Sequence, residues 1–372
     1  MSETALAIRS VELLEIALPL VRPFRTSFGE EREKRAILVS IVSEDVAGWG
    51  ECVTSTEPRY SEEWLGGAWI ALADHLVPSL LAAGPILEPE DVGRRLAWVR
   101  GHRMAKAALE AAVLDAWLRA QGQSLVSYLG GVRDRVECGV SVGIASSIDA
   151  MLEEIHGYLA KGYRRVKLKI EPGRDLEVVR QVRGELPDTP LSVDANAAYE
   201  LSDAPLFEAL DELGLVMIEQ PLDHEDLVEH AALQARLRTP ICLDESIRSA
   251  RDAKAAIRLG ACRVINIKPG RVGGILEARR VHDAAKRQGA PCWIGGMLET
   301  GVGRAANLAL AALPGVTMPG DTSASDRYFA QDLTEPLVLQ PDGTIAVPSG
   351  PGMGVEPQRG RLEASVVRRR TI

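Results

Sequence analysis

The chain has 372 residues, of which 46% are hydrophobic, enough for one large domain with a smaller one attached. A net charge of -9, dispersed along the chain, argues against nucleic-acid binding, which needs a basic face. No basic segment precedes the apolar run near Val11, and no run approaches the roughly 18 uninterrupted apolar residues of a membrane span. We therefore expect an acidic cytoplasmic protein without a signal peptide or membrane segment.

The cysteines and histidines give no sign of a disulfide framework or a zinc site. The five cysteines are scattered without a CxxC pair, and the six histidines have no partner at ligand spacing. The sequence predicts reduced, mostly buried thiols at Cys52, Cys138, Cys242, Cys262 and Cys292.

The first 130 residues predict an α+β domain. β-prone runs at residues 7–20 and 36–42, with a third that closes at residues 49–51, predict an antiparallel meander. Between the first two runs, residues 22–29 lack periodicity and predict a loop, either a lid or a surface excursion. Helices are predicted at residues 60–82, 89–100 and 104–121.

After Gly130-Gly131 the pattern changes to alternating strands and helices. The eight strand candidates are Val136–Ile144, Arg165–Ile170, Leu191–Asp194, Val216–Glu219, Ile241–Asp244, Val264–Lys268, Cys292–Gly295 and Val316–Pro319. Strands that alternate with helices indicate a parallel sheet buried on both faces, and eight units indicate closure into a (β/α)8-type (TIM) barrel.

The alternation stops after Asp326. A hairpin of residues 337–339 and 345–347 is expected to return to the first domain, and the tail Arg368–Arg370 is expected to be a solvated, frayed end. The predicted organisation is an α+β domain at 1–130, the barrel at 131–325 and a C-terminal segment at 326–372 that returns to the first domain.

Five charged residues recur at a fixed spacing within the predicted barrel. Lys169, Asp194, Glu219, Asp244 and Lys268 are separated by 25, 25, 25 and 24 residues, the width of one strand, one helix and two loops. Because the strand ends of a barrel converge on one rim, two lysines and three carboxylates should surround one small volume.

The three carboxylates predict a metal site. Oxygen ligands without His or Cys favour Mg2+ or Mn2+ over zinc. Any single carboxylate could instead cap a βα turn. Three at the same phase on consecutive strands would repel one another unless they share a cation.

The lysines predict acid/base chemistry. Lys167 and Lys169 point to the same face of one strand, so mutual repulsion is expected to lower the pKa of at least one, although a KxK pair alone is also typical of a solvated edge strand. Lys268 would face Lys169 across the barrel, which suits removal of a proton from a carbon next to a metal-bound carboxylate. Arg271 would lower the pKa of Lys268, touch substrate, or be an ordinary loop charge.

These motifs carry a resemblance. Lys167-Leu-Lys169, Asp194-Ala-Asn196, Glu219-Gln-Pro221, Asp244-Glu-Ser246 and Lys268-Pro-Gly270 resemble the muconate-cycloisomerase branch of the enolase superfamily. The stretches 23–29, 295–301 and 319–326 resemble the o-succinylbenzoate synthase / N-succinylamino acid racemase family. The similarity covers nearly the whole chain.

The resemblance implies a capping domain over the barrel mouth and a small-molecule carboxylate substrate. It implies Mg2+, replaceable by Mn2+ or another divalent cation, on Asp194, Glu219 and Asp244, with Lys169 and Lys268 as the acid/base pair. Lys167, Asn196 and Arg271 would support them, Arg271 at a position associated with racemase capability. The expected substrate contacts are Phe24, Arg25, Thr26, Ser27, Phe28, Ser141, Gly295, Gly296 and Met297.

The implied activity is Mg-dependent abstraction of a proton α to a carboxylate through an enediolate. The product would be o-succinylbenzoate, formed by dehydration in menaquinone biosynthesis, a racemised N-acylamino acid, or both. Alternatives are a cycloisomerase, a dipeptide epimerase, a Schiff-base aldolase using Lys268, or a non-catalytic barrel. The epimerase is disfavoured because Asp321-Thr322-Ser323 lacks the Asp-x-Asp expected at the eighth strand. The physiological reaction, the preferred acyl group and a homo-oligomeric state are left open.

Overall fold

The computed structural model describes residues 5–27, 29–44 and 46–372. Its N-terminal part is a four-stranded antiparallel sheet in the order β13-β1-β2-β3, which confirms the predicted meander and adds one strand. The strands are β1 (Ser10–Thr26), β2 (Gly29–Val42), β3 (Ala47–Cys52) and β13 (Val366–Thr371). Alternate residues of β1 enter different hydrophobic clusters, Leu13 beside the capping helices and Leu14 on the barrel side, so both faces of this sheet are buried.

The capping helices lie on one face of that sheet. They are α1 (Leu65–Ile70), a π-helical turn (Ala71–Leu76), α2 (Val77–Ala82), α3 (Glu90–Leu96) and α4 (Arg103–Ala120), whereas the next helix, α5 (Leu125–Leu129), packs into the barrel-side cluster. The alanine-rich α4 lies directly on β3, where a Cβ on Gly50 would come within 2.0 Å of the Ala108 carbonyl oxygen. Only glycine permits that approach, which explains the small residues on both elements.

One helical stretch is apolar and long enough to cross a membrane by length and composition. Among the described residues this is Leu65–Ala82, and 56% of it is buried within the protein. It packs in the capping domain, as Leu72 and Leu76 belong to the cluster that includes β1 and β2, which is typical of a core helix.

Two expectations for the first sheet are wrong. Residues 22–26 are not a loop, because β1 continues to Thr26 and pairs with the start of β2, with Arg25 opposite Glu30. The tail is not frayed, because Arg368–Arg370 pair with β1 in β13. In both places backbone pairing orders a segment whose side chains show no buried periodicity.

The barrel strands form a parallel sheet in the order β11-β10-β9-β8-β7-β6-β5, with one helix or more after each strand, so the predicted α/β barrel-type fold is confirmed. The strands are β5 (Val140–Val142), β6 (Val166–Lys169), β7 (Leu191–Asp194), β8 (Ile218–Glu219), β9 (Ile241–Leu243), β10 (Val264–Ile267) and β11 (Cys292–Ile294). The helices are α6 (Ile148–Lys161), α7 (Leu176–Glu185), α8 (Ala204–Asp211), α9 (Val228–Arg236), α10 (Ala250–Leu259), α11 (Pro269–Val272), α12 (Ile275–Arg287) and α13 (Gly301–Ala311).

The predicted eighth strand, Val316–Pro319, is not a regular strand in the described structure. Two isolated parallel bridges occupy its place, Val316 with Cys292 on one edge and Gly320 with Cys138 on the other. The segment therefore touches both edges of the seven-stranded sheet, and prolines at 314 and 319 remove donors that a continuous ladder needs.

The C-terminal hairpin also differs from expectation. Its second arm, β12 (Thr344–Ala346), pairs with β4 (Arg135–Glu137) rather than with the first sheet. The return to the capping domain is made instead by β13, which follows α14 (Arg359–Ser365). The boundaries at residues 130 and 325 stay a prediction. All five cysteines are free and buried, as predicted.

Candidate active site

A cavity of about 330 Å3 lies where the barrel rim meets the capping domain. The barrel contributes residues that directly follow or end its strands, including Lys169 and Lys268, and the capping domain contributes the tip of the β1–β2 ribbon and the loop after β3. The nine predicted site residues that line it are Phe24, Thr26, Ser141, Lys167, Lys169, Asn196, Lys268, Gly296 and Met297.

The three predicted metal ligands lie under this cavity, fully buried at successive strand ends. Asp194 and Glu219 are register partners on β7 and β8, and Asp244 directly follows β9. The parallel strand ends place all three on the same rim.

Lys169 and Lys268 stand on opposite sides of these carboxylates. Lys169 Nζ donates to Asp194 Oδ2 at 2.7 Å and to Asn196 Oδ1 at 2.6 Å. Lys268 Nζ donates to Asp244 Oδ2 at 2.7 Å and to Tyr60 Oη at 3.2 Å. Each ammonium is thus held by one carboxylate and one neutral oxygen beside the same cavity.

Lys167 lies deeper and bridges three carboxylates. Its Nζ lies 2.8 Å from Glu219 Oε2, 3.1 Å from Asp194 Oδ2 and 2.7 Å from Asp321 Oδ2. Burial alone would lower the pKa of Lys167, but these carboxylates raise it above its ordinary value. The expectation that lysine repulsion dominates is therefore wrong for Lys167, because Asp321, Glu219 and Asp194 together outweigh both that repulsion and burial.

The pKa of Lys268 is also raised. Burial opposes the charge, yet Tyr60 and the nearby carboxylates, with Glu245 foremost among them, outweigh it. Arg271 is buried and holds the opposite oxygen of Asp244 while donating to the carbonyls of Ile247 at 2.7 Å and Asn266 at 2.6 Å. Arg271 therefore fixes Asp244 from behind and does not line the cavity.

Backbone strain accompanies the site. Asn196, Ala197, Gln220 and Leu298 have positive φ angles of 45°, 59°, 38° and 57°, and all four follow strand ends at this rim. Such conformations cost about 1–3 kcal/mol each and persist where surrounding contacts impose them. At Gln220 the contacts are clear, since its Oε1 accepts from the backbone N–H groups of Asp244 at 3.0 Å and Ser246 at 3.2 Å.

The donor set suits a hard divalent cation in its chemistry, because it consists of buried carboxylate oxygens alone. In their present rotamers the carboxylates turn toward lysine and arginine, and among the described residues no group of three or more His, Cys, Asp or Glu side chains is gathered as a metal cluster. Asp194 and Glu219 are register partners on neighbouring strands, and burial and the charge of Asp194 both raise the pKa of Glu219. A shared cation would relieve that repulsion.

Several predicted substrate contacts lie elsewhere. Arg25 points away from the cavity and pairs with Glu171 at 3.2 Å, and Ser27 and Gly295 are also outside the lining. A Cβ on Gly295 would come within 2.3 Å of Asn266 Oδ1, so this glycine makes room for an inward side chain. Phe28 lies outside the described residues.

Other residues of the site had no clear signal in the sequence. Tyr60, from the predicted first helix, lies in a loop and places its hydroxyl 3.1 Å from Asp244 Oδ1. Asp321 pairs with Lys167 and with Arg165 at 2.5 Å, and Asn266 donates to Glu219 Oε1 at 2.7 Å. Asp321 closely follows the predicted eighth strand, Val316–Pro319, whereas nothing local marked Tyr60.

Comparisons with known proteins agree with this architecture. The family model of the mandelate racemase / muconate lactonizing enzyme N-terminal domain matches residues 8–130, and the enolase C-terminal domain-like model matches residues 150–361. The chain is 56% identical over 351 residues to an N-succinylamino acid racemase of Amycolatopsis sp, covering 94% of this chain and 95% of that protein.

Two further similar proteins also match nearly the whole chain. An o-succinylbenzoate synthase of Geobacillus stearothermophilus is 50% identical over 360 residues, covering 96% of each chain. The crystal structure of an unknown member of the enolase superfamily from Enterococcus faecalis V583 matches with a TM-score of 0.92 at 42% identity, covering 99% of this chain and 100% of that one.

Proposed function

Because this chain belongs to the o-succinylbenzoate synthase / N-succinylamino acid racemase family of the enolase superfamily, we propose that it removes a proton from the carbon next to a substrate carboxylate. The reactions we assign are dehydration to o-succinylbenzoate and racemisation of N-succinyl or other N-acyl amino acids. Both begin with the same proton abstraction and differ in the fate of the enediolate that it forms.

The observation that carries the proposal is the opposed pair of lysines beside one cavity. Lys169 on β6 and Lys268 after β10 are separated by the strands that carry the three carboxylates. A carbon held between them presents one face to each lysine, one of which is the neutral amine that acts as base while the other stays protonated and acts as acid. One lysine can then take a proton from one face while the other delivers a proton to the opposite face, which inverts the centre.

The two reactions use the pair differently. In racemisation Lys169 and Lys268 exchange roles as acid and base. In dehydration Lys169 takes the proton and then assists the loss of water from the same side, while the protonated Lys268 faces the enediolate and stabilises its charge. Asn196 and Lys167 hold Lys169 and the carboxylates in place through their hydrogen bonds.

Asp194, Glu219 and Asp244 are the residues that would hold a divalent cation. Enzymes of this superfamily are generally dependent on a divalent metal, and we propose Mg2+ because the donors are all carboxylate oxygens. Such a cation, when bound, stabilises negative charge that develops on the substrate carboxylate.

We also propose a cytoplasmic location, which the five buried free thiols support. The substrate is a small carboxylate, in keeping with a cavity of about 330 Å3. The domain boundaries 1–130, 131–325 and 326–372 are part of the proposal.

The test is incubation with Mg2+ in D2O and N-succinyl amino acids of either hand, with the Cα proton followed by NMR and optical rotation by polarimetry. A parallel assay supplies the cyclohexadiene precursor of o-succinylbenzoate. We expect proton exchange together with racemisation, dehydration or both, all stopped by a chelator and restored by Mg2+. Failure of exchange and of dehydration with Mg2+ present would overturn the proposal.

A further inference from the structure

One buried cation in the described structure lacks the partner that its counterparts have. Eight lysine and arginine side chains are buried: Lys34, Arg165, Lys167, Lys169, Lys268, Arg271, Arg304 and Arg327. Seven of them have a carboxylate within ion-pair distance. Lys34 has none among the described residues, although burial of an unpaired ammonium group is costly.

Lys34 lies on β2 of the capping domain and lines the same cavity as Lys169 and Lys268. Its side chain is almost fully buried, and the residue is only 2% exposed. The one acceptor that Lys34 has in the described part of the chain is the carbonyl oxygen of Val53, 3.3 Å from Nζ. An ammonium group has three donors, so Lys34 retains donors for a further acceptor at the cavity wall.

The acidic side chains at this end of the cavity are engaged elsewhere. Their contacts are Glu30 with Arg32 at 2.7 Å, Glu57 with Arg59 at 2.5 Å, and Glu31 with the Ser55 hydroxyl at 3.4 Å. Burial raises the pKa of Glu51, and the charge of Lys34 offsets part of that rise. The carboxylate oxygens of Glu51, however, accept hydrogen bonds from Thr300 and Gly303. The positive charge of Lys34 is therefore left for a ligand.

We propose that Lys34 binds the distal carboxylate of the substrate, the one at the end of the succinyl chain, which does not react. This rests on the proposed function, since the cyclohexadiene precursor and the N-succinyl amino acids both carry a succinyl chain. The reacting end lies at the barrel rim between Lys169 and Lys268, and the distal carboxylate lies against the capping domain. Lys34 thereby selects dicarboxylate substrates over those whose chain ends in a neutral group.

The proposal is tested with two substrates and three variants. The substrates are an N-succinyl amino acid and its succinamoyl analogue, in which a carboxamide of nearly the same shape replaces the terminal carboxylate. Lys34→Met removes the charge, Lys34→Arg restores it, and Lys161→Met serves as a control, because Lys161 is exposed and outside this cavity. The measurements are KM, kcat and the melting temperature without ligand.

We expect wild type to prefer the N-succinyl substrate, and Lys34→Met to reduce its kcat/KM roughly 10²-fold, mainly through KM, because a charge pair shielded from water is lost. The succinamoyl analogue should lose far less, Lys34→Arg should recover most of the preference, and Lys161→Met should change neither substrate. The melting temperature of Lys34→Met should equal or exceed that of wild type, because a structural role would lower it.

Two failures are distinguishable. Wild type that exchanges no Cα proton and dehydrates no precursor would overturn the proposed function itself. Wild type that is active but treats both substrates alike, equal losses on both in Lys34→Met, or a lowered melting temperature in that variant would overturn the assignment of Lys34 alone.

Discussion

Two groups of buried carboxylates in this protein differ in the partners that hold them. In the active site, Asp194, Glu219 and Asp244 face lysine and arginine side chains. At the contact between capping domain and barrel, Glu51 and Glu110 face backbone N–H groups at the starts of α13 and α12.

The pKa values show the consequence. Although burial opposes ionisation, the lysines hold the pKa of Asp194 well below its usual range, whereas burial and the charge of Asp194 raise the pKa of its neighbour Glu219. Burial raises the pKa of Glu110 to about 7, because two backbone hydrogen bonds offset only part of the lost hydration. Lysine and arginine side chains can change rotamer, which suits an active site whose carboxylates exchange partners during a reaction. Fixed amides suit a joint between domains.

The largest expected effect lies in the first group. Lys268→Ala should reduce racemisation roughly 10²–10⁴-fold, the contribution of a positioned acid or base. Metal binding should survive, because Asp244 keeps Tyr60 and Arg271 as hydrogen-bond donors. Polarimetry measures the first outcome and calorimetric titration with Mg2+ the second.

The matched control is Lys254→Ala, an exposed lysine on α10, which should change neither quantity. Racemisation at the wild-type rate in Lys268→Ala would remove this lysine from the acid/base pair. Loss of Mg2+ binding would mean that Asp244 needs Lys268 to hold its position. The cationic partners of the first group would then have a structural role, like the backbone amides of the second group.

The first group could be predicted from sequence because it follows a period. A carboxylate or lysine at each strand end, spaced by one βα unit, identifies the rim without any knowledge of contacts. Glu51 and Glu110 have no such mark, since a glutamate in a strand or an alanine-rich helix is ordinarily a surface residue. Their role depends on helices some 165 to 250 residues away in sequence, and only the folded chain reveals it.

The next effect tests the second group. Glu51 accepts from the Thr300 N–H at 3.0 Å, the Thr300 hydroxyl at 2.7 Å and the Gly303 N–H at 3.0 Å. Glu51→Ala should lower the free energy of unfolding by roughly 3–5 kcal/mol, because it leaves buried donors unsatisfied and opens a cavity. Urea unfolding measures the change.

The control for Glu51 is Glu44→Ala, an exposed glutamate that pairs with Arg9 and should cost less than about 1 kcal/mol. Equal, small losses of unfolding free energy in both variants would show that water can replace the Glu51 carboxylate as the acceptor for the N–H groups at the start of α13. The interface group would then be incidental to stability.

The fold was predicted where hydrophobic runs are regular, and missed where backbone pairing alone orders the chain. The carboxyl ends of β7 at Asp194 and of β8 at Glu219 are as predicted, because each closes an apolar run. The eighth barrel position, Val316–Gly320, consists of bridges, and β13 is a largely exposed strand rich in arginine. Neither segment has a regular apolar period, so the sequence pattern predicts a regular strand at the first and a frayed tail at the second, and both predictions are wrong.

The smallest effect depends on pH and separates the two groups most directly. The pKa of Glu110 is about 7 in the folded protein and near 4.5 when unfolded, so the folded state holds an extra proton between those values. The contribution of Glu110 to the free energy of unfolding is therefore complete at low pH. It is lost as the pH rises toward 7, by about 3 kcal/mol in all, most of it between pH 5 and pH 8.

Glu110→Gln keeps an acceptor for the Leu276 N–H but cannot ionise. Its melting temperature should exceed that of wild type at pH 8, with the gap narrowing by pH 5, while Glu44→Gln shows no such change. A constant gap would mean that Glu110 is already ionised in the fold, as Asp194 is.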